Sequence, residues 1–386
     1  MVGRAGDRGA ERAAERGAGV TTASEPYVLN IGPQHPSTHG VFRIRVVMDG
    51  EKIRDLDMIV GYLHRSMEKL AEERTYTQNI PFTDRADYLA AMSGNLGLAL
   101  AAERLADVEV PERASYLRVI FAELQRIASH AMANGTLVSD AGAWQTPLLY
   151  MFREREKILD LFEMTCGARL TTNYMRIGGV AFEPPPEFWP ELDELIDELP
   201  ERIAEYTELL TENEIFVART RNVGVISAED AINGSLVGPA LRGSGVPWDL
   251  RKAEPYCVYD RFEFDVPVGR NGDVYDRFMV RLEETRQSTR ILRQAIAEIP
   301  DGPHKTDIPL ALRPPPGEVY GRVEGPRGEL GFYLVSDGGP APYRFHIRAP
   351  SLINLSLLRE MARGASLSDA VVALGSIDIV VGEIDR

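Results

Sequence analysis

Short apolar runs rich in β-branched residues mark the first part of the chain and predict strands. The predicted strands are residues 27–31, 41–48 and 52–60. An Asp49-Gly50 pair between the last two is typical of a hairpin turn. Residues 25–65 are therefore predicted to form a small antiparallel sheet. Residues 1–24 are mostly Gly, Ala, Arg and Glu without apolar periodicity, which predicts a disordered leader.

Between residues 66 and 313 the hydrophobic pattern takes on a helical period, which predicts an antiparallel helical bundle. The five predicted helices are 84–108, 112–133, 147–167, 187–212 and 273–299. Residues 215–270, between the fourth and fifth helices, contain many glycines and have no strong period. A long irregular insertion inside a compact protein is usually functional or interfacial.

The last part of the chain, residues 314–386, returns to a β pattern after the proline run 314–316. Strands are predicted at 318–323, 329–335 and 343–348, and short helices around 355–361 and 367–373. The predicted fold class is therefore α+β, mainly α. A central antiparallel helical bundle carries a small N-terminal antiparallel sheet and a C-terminal β-meander.

Charge and cysteine content narrow the classes of function. The formal net charge of −15 argues against nucleic acid as the main partner. No apolar run has the length of a membrane span and no signal peptide is present, so a role at a membrane would require other subunits to hold the chain there. Cys166 and Cys257 are the only cysteines and neither belongs to a CxxC pair. This excludes an iron–sulfur or structural zinc site built from this chain's thiolates alone.

The most distinctive motif is GPQHPSTHG at residues 32–40, which carries His35 and His39. Pro33 and Pro36 make this backbone a turn rather than a helix, so the histidine spacing does not form a helical metal pair. Imidazoles on a turn can be aimed at a ligand, and their charge changes near neutral pH. Taken alone, the motif fits equally a loop whose histidines cap local backbone groups, and that interpretation is favoured.

Other candidate residues also have ordinary structural interpretations. Tyr88, at the start of the first long predicted helix, fits a core aromatic residue. Asp140, predicted to follow the second helix, fits a turn residue. His130 fits a hydrogen-bonded core residue. Asp84 and Asp87 could do acid–base chemistry, but carboxylates are also favoured at the first turn of a helix.

Taken together, these motifs are specific. The chain resembles the family of quinone-site subunits of proton-pumping NADH–quinone oxidoreductase (respiratory complex I) from residue 28 to its last residue. The segments that carry the resemblance are NIGPQHPSTHGVFR, GYLHRSMEKLAEERTYTQN, DRADYL, RASYLRVIFAELQRIASH, FREREKILDLFE, NYMRIGGV, GVPWDLRKAEPY, RGELGFYLVSDGG and PYRFHIRAPSL.

The resemblance implies a fold shared with the large subunit of nickel–iron hydrogenases. Those enzymes hold their metal with two CxxC pairs, which this chain lacks, so no metal is expected. In the family, residues matching His39 and Tyr88 hydrogen-bond the quinone carbonyls, and the match to Asp140 pairs with the histidine. These three residues are the expected catalytic set. His35 and Thr38 are expected to support the loop.

Three further positions are expected near the terminal iron–sulfur cluster of a sister subunit. Arg65 and Arg85 match arginines that the family places beside this cluster. Thr171 stands in the segment GARLTTNY, where most relatives have a histidine. Because a threonine cannot titrate, weaker proton uptake on cluster reduction is expected.

The resemblance also implies partners and a location. The chain is expected to bind no cofactor alone, to use quinone as substrate, and to be active only as part of the NADH–quinone oxidoreductase, a translocase. The expected partners are the NuoB-like subunit that bears the iron–sulfur cluster, a NuoC-like subunit and the membrane-arm subunits. Together they would hold the chain peripherally on the cytoplasmic side of the cell membrane.

One departure from the family pattern leaves alternatives open. Between Asp307 and Glu318 only a short linker remains where the family usually carries a helix. The alternatives are a divergent second copy acting as a scaffold or assembly paralogue, or a subunit of a reduced complex with a donor other than NADH.

Overall fold

A computed structural model describes residues 25–142 and 146–386, so the predicted leader lies outside the described residues. Its strands form three antiparallel sheets with the orders β1-β2-β3, β4-β5 and β6-β7-β8. They are β1 (Tyr27–Ile31), β2 (Arg43–Asp49), β3 (Lys52–Ile59), β4 (Met175–Arg176), β5 (Gly179–Val180), β6 (Gly317–Gly325), β7 (Gly328–Ser336) and β8 (Arg344–Arg348). The predicted N-terminal sheet and C-terminal meander are both present.

Helices make up most of the described chain. They are α1 (Met67–Ala71), α2 (Tyr76–Ala86), α3 (Ala91–Ala106), α4 (Glu112–Asp140), α5 (Thr146–Cys166), α6 (Phe188–Thr211), α7 (Glu214–Thr220), α8 (Ala228–Asn233), α9 (Gly238–Gly243), α10 (Leu250–Ala253), α11 (Val274–Glu298), α12 (Pro350–Leu355), α13 (Leu358–Ala362), α14 (Leu367–Ile377) and α15 (Val381–Asp385). Helix α4 packs against α3, α5 and α11, and α6 packs against α5 and α11. The predicted α+β, mainly α, fold class is confirmed.

Stacked aromatic rings from three helices fill part of the bundle core. The ring of Phe121 on α4 lies 6.1 Å from that of Phe162 on α5 and 5.2 Å from that of Phe188 on α6. All three side chains are fully buried. Such pairs stabilise a core beyond the area they bury, and here they fix α4 as the central helix.

The prediction of one helix over residues 84–108 is wrong. The structure has α2 and α3 instead, with a turn at residues 87–90. The Asp87 carboxylate accepts hydrogen bonds from the backbone N–H groups of Leu89 (3.2 Å) and Ala90 (3.1 Å). These bonds replace the helical ones, as Asp side chains often do. Tyr88 therefore lies in a turn rather than at the start of a helix.

The predicted end of the second helix near residue 133 is also wrong, because α4 continues to Asp140. The polar sequence NGTLVSD does not favour a helix by itself. Leu137 and Val138 within it are fully buried in a cluster that includes Val372 on α14. This tertiary packing overrides local propensity, and it makes Asp140 the last helical residue.

Residues 215–270 are more regular than predicted, because most of α7 and all of α8, α9 and α10 lie within them. The segment reaches deep into the molecule through arginines that are fully buried, Arg242 and Arg251. Both form ion pairs with carboxylates on the bundle helices, Arg242 with Glu284 (2.7 Å) and Arg251 with Glu123 (3.0 Å). The segment is therefore part of the core.

Candidate functional site

The histidine loop forms a short 3-10 turn at Pro36–Thr38. His35 caps it, because its Nδ1 accepts a hydrogen bond from the Ser37 N–H (3.2 Å). The buried Thr38 hydroxyl lies 2.7 Å from the carbonyl oxygen of His35 and 2.8 Å from that of Gly40. The turn ends at His39, whose φ of 55° is left-handed. Two side chains thus brace the turn from within, and His39 points away from it.

His39 meets Asp140 across the molecule. Its Nε2 lies 2.5 Å from Asp140 Oδ2, and the side chains are 18% and 19% exposed. Gly375 on α14 makes room for the pair, because a Cβ atom there would lie 2.8 Å from Asp140 Oδ2. The carboxylate orients the imidazole and, when the imidazole is protonated, neutralises its charge.

Tyr88 lines the same cleft as His39 and Asp140, a space of about 330 Å³. Its side chain is 40% exposed toward this space. Burial raises the pKa of the Tyr88 hydroxyl, with the nearby Asp87 acting in the same direction and Arg327 opposing it. The phenol therefore stays protonated at neutral pH and remains a hydrogen-bond donor. Apolar side chains provide walls for a flat ring: Leu89, Met132, Leu148 and Ile379.

An arginine that the sequence reasoning missed fixes the turn that presents Tyr88. Arg327 is 1% exposed at the side chain and donates from Nη1 to Asp87 Oδ2 (2.7 Å). It also donates from Nε to the carbonyl oxygen of Asp378 (2.8 Å). The Asp378 side chain lines the cleft, and burial raises the pKa of its carboxyl group against the opposing charge of Arg327. The motif GPRGELG carries Arg327, but only the β6–β7 pairing brings it here.

Arg65 and Arg85 lie together in a second groove, of about 590 Å³. Arg74 joins them, and the floor is apolar, formed partly by Phe82. Because three cations line a mostly apolar surface, this groove favours an electron-rich or anionic partner. Thr171 is exposed and does not line this groove.

Asp84 lies buried next to Arg85. Its side chain has no exposure, accepts a hydrogen bond from Asn95 Nδ2 (2.8 Å) and lies 3.4 Å from Arg85 Nη1. Burial raises the pKa of its carboxyl group from 3.8 to about 6, although the bond from Asn95 and the charge of Arg85 oppose this. His130 is a buried core residue 2.8 Å from Glu284, as its structural interpretation predicted.

Two absences concern residues 25–142 and 146–386 only. No group of three or more His, Cys, Asp or Glu side chains in this part of the chain is arranged to hold a metal ion. Among the helices described there, none is both long enough and apolar enough to cross a membrane.

Comparison with known proteins identifies relatives along nearly the whole chain. The family described as "Respiratory-chain NADH dehydrogenase, 49 Kd subunit" matches residues 140–314 and 308–386. A D-type subunit of NADH-quinone oxidoreductase from Dehalococcoides mccartyi (strain ATCC BAA-2266 / KCTC 15142 / 195) is 58% identical over 363 residues, 94% of this chain and 99% of its own length.

Two other relatives, also named as D-type subunits of NADH-quinone oxidoreductase, are similar to the same extent. The protein of Roseiflexus sp. (strain RS-1) is 57% identical over 366 residues, 93% of this chain and 98% of its own length. The protein of Clostridium beijerinckii (strain ATCC 51743 / NCIMB 8052) is 52% identical over 363 residues, 94% of this chain and 98% of its own length. The chain therefore belongs to the family of 49 kDa subunits of respiratory-chain NADH dehydrogenase, the D-type subunits of NADH–quinone oxidoreductase (complex I).

Proposed function

We propose that this chain forms the site where NADH–quinone oxidoreductase reduces and protonates quinone. The observation that carries the proposal is the shared cleft of His39, Tyr88 and Asp140. A histidine with a carboxylate partner and a protonated phenol come there from three separate parts of the chain. The names of the relatives include quinone, which supports the same substrate here.

The chemistry of the cleft fits this substrate. A quinone that accepts two electrons takes up two protons, and negative charge develops on both oxygens before they arrive. Protonated His39, neutralised by Asp140, delivers one proton, while Tyr88 donates a hydrogen bond to the other oxygen or gives up its proton. Asp140 holds the imidazole in one orientation throughout. The apolar walls hold the ring and keep bulk water out.

The groove of Arg65, Arg74 and Arg85 is the proposed contact with the NuoB-like subunit that carries the terminal iron–sulfur cluster. This chain holds no cluster itself; its arginines would favour the cluster's reduced state through their charge. Thr171 lies on the proposed cluster side and cannot titrate. We therefore expect the cluster's midpoint potential to vary little with pH, and a steep pH dependence would contradict this.

The rest of the complex supplies what this chain lacks. A NuoC-like subunit and the membrane-arm subunits are proposed to hold it on the cytoplasmic side of the membrane, where quinone reduction drives proton translocation. The alternatives, a scaffold paralogue or a complex with another donor, depended on the short linker between Asp307 and Glu318. The relatives from Dehalococcoides and Roseiflexus match over 98–99% of their lengths, so the linker does not set this chain apart.

The proposal is tested with His39→Ala and Tyr88→Phe in the assembled complex. Each change removes a donor to the developing oxyanion, so quinone reductase turnover should fall by about 10²-fold or more. Electron transfer to a water-soluble acceptor that draws electrons upstream of the quinone should stay unchanged. Tyr343→Phe is the matched control, because that tyrosine is 71% exposed and does not line the cleft. Full quinone reductase activity in both cleft variants would refute the proposal.

A further inference from the structure

Arg65 lies on an exposed connection between β3 and α1, residues 60–66. The connection contains left-handed backbone near both ends, with φ of 108° at Gly61 and 58° at Ser66. Its own hydrogen bond, from the His64 N–H to the Gly61 carbonyl oxygen (3.2 Å), closes one turn. Exposed segments of this kind are mobile unless other parts of the chain hold them. The position of Arg65 therefore depends on what anchors this turn.

Asp385, 322 residues further along the chain than Leu63, is that anchor. Its Oδ1 accepts a hydrogen bond from the Gly61 N–H (2.7 Å), and its Oδ2 accepts one from the Leu63 N–H (2.7 Å). The residue is 5% exposed. A carboxylate that receives two short backbone bonds away from water holds both donors firmly.

The neighbouring residues repeat this attachment. His64 Nδ1 lies 2.6 Å from the carbonyl oxygen of Asp385 and 2.8 Å from that of Arg386, so this ring nitrogen must be the donor. On the far side of Arg65, Glu68 on α1 accepts a hydrogen bond from Arg386 Nε (2.9 Å). The chain segment 385–386 thus holds the backbone on both sides of Arg65.

We propose that Asp385 is a positioning residue for Arg65. By fixing the turn at residues 61–64, it holds the guanidinium in the groove that it shares with Arg74 and Arg85. This inference rests on the proposed function, in which the groove faces the partner's cluster. Asp385 itself lines neither the groove nor the quinone cleft.

The first step is tested by hydrogen exchange of a peptide covering residues 60–66 in the assembled complex. Asp385→Ala should make the Gly61 and Leu63 amides exchange at least tenfold faster, and Asp385→Asn, which keeps one acceptor oxygen, should give an intermediate rate. Asp369→Ala is the matched control, because Asp369 also accepts backbone and side-chain hydrogen bonds but at the start of α14. Unchanged exchange in both Asp385 variants would overturn the inference.

The second step is tested by redox titration of the terminal cluster, followed by its electron paramagnetic resonance signal. Arg65→Ala should lower the midpoint potential, because it removes a positive charge that favours the reduced state. Asp385→Ala should lower the potential by no more than this, and the double variant should match Arg65→Ala alone. If Asp385→Ala does not assemble, Asp385→Asn serves in the same cycle.

The outcomes separate the two proposals. If Arg65→Ala leaves the potential unchanged, the proposed role of the groove fails. If Arg65→Ala lowers the potential but the Asp385 variants do not, the positioning inference alone fails. Fully additive effects in the double variant would likewise overturn it, because Asp385 would then act independently of Arg65.

Discussion

The pairing of His39 with Asp140 depends on residues that are themselves chemically inert. Gly375 leaves the space in which the two side chains meet, and Thr38 holds the turn that ends at His39. Asp87 performs the same service for Tyr88, because its carboxylate binds both the turn amides and Arg327. At the scale of single residues, the cleft is built from polar side chains that shape the backbone around two donors.

Asp84 provides a prediction at this scale. Burial raises the pKa of its carboxyl group from 3.8 to about 6, so between these values the unfolded chain is ionised while the folded chain stays protonated. Stability therefore falls as pH rises through this window, and the full cost, about 3 kcal/mol at most, applies above pH 6. Asp84→Asn should raise the free energy of unfolding at pH 7.5 by up to that amount and leave it unchanged near pH 4.

Denaturant unfolding at the two pH values measures this effect. Asp160→Asn is the control, because the Asp160 side chain is 61% exposed and its loss should change stability little at either pH. A less stable Asp84→Asn variant at pH 7.5 would contradict the account, since it would mean that the ionised carboxylate stabilises the fold.

At the scale of elements, the pattern of the sequence predicts every strand of the two three-stranded sheets and the four long helices α4, α5, α6 and α11. What it misses are ends and turns. Helix α4 runs past its predicted end because Leu137 is buried against distant residues, and the turn at residues 87–90 forms because the Asp87 side chain competes with helical bonds. Neither cause is visible in a local window of sequence. Arg327 was missed for the same reason, since it reaches the site only through strand pairing.

The contact between α3 and the hairpin β6–β7 gives a prediction for an element pair. A Cβ atom on Gly321 of β6 would lie 2.7 Å from Ala101 Cβ and 2.9 Å from Ala101 Cα on α3. Backbone has to shift to relieve this, so Gly321→Ala should destabilise the protein by about 1–3 kcal/mol. Gly317→Ala in the same strand is the matched control, because its Cβ would meet only Leu105 Cδ1 at 3.8 Å. Thermal unfolding measures both, and equal melting temperatures would contradict the close packing.

At the scale of the whole molecule, buried charges join the bundle to the segment 215–270. Glu123 on α4 has no exposure and accepts hydrogen bonds from Tyr259 and Arg251 in that segment, and from Ser288 on α11. The charges of Arg126 and Arg251 hold the pKa of its carboxyl group below the usual range, against the opposing effect of burial. The segment that the sequence marks as irregular is thus fixed by charges that only the folded chain brings together.

Glu123→Gln should destabilise the protein by about 3–5 kcal/mol, because it leaves buried arginines without their compensating charge. The free energy of unfolding at neutral pH measures this. Glu283→Gln on α11 is the control, because its ion pair with Arg286 is 38% exposed at the carboxylate and should contribute less than about 1 kcal/mol. If the two variants lose the same stability, the buried network does not hold the segment in place.

The central claim concerns where the quinone head group binds, and a structure of the assembled complex with quinone bound tests it most directly. The quantities to measure are the distances from the two quinone oxygens to the His39 imidazole and to the Tyr88 hydroxyl. The account predicts that both lie within about 3.2 Å, a hydrogen-bonding distance, with the ring against Leu89 and Met132. A fully occupied quinone whose head group touches neither side chain would contradict it.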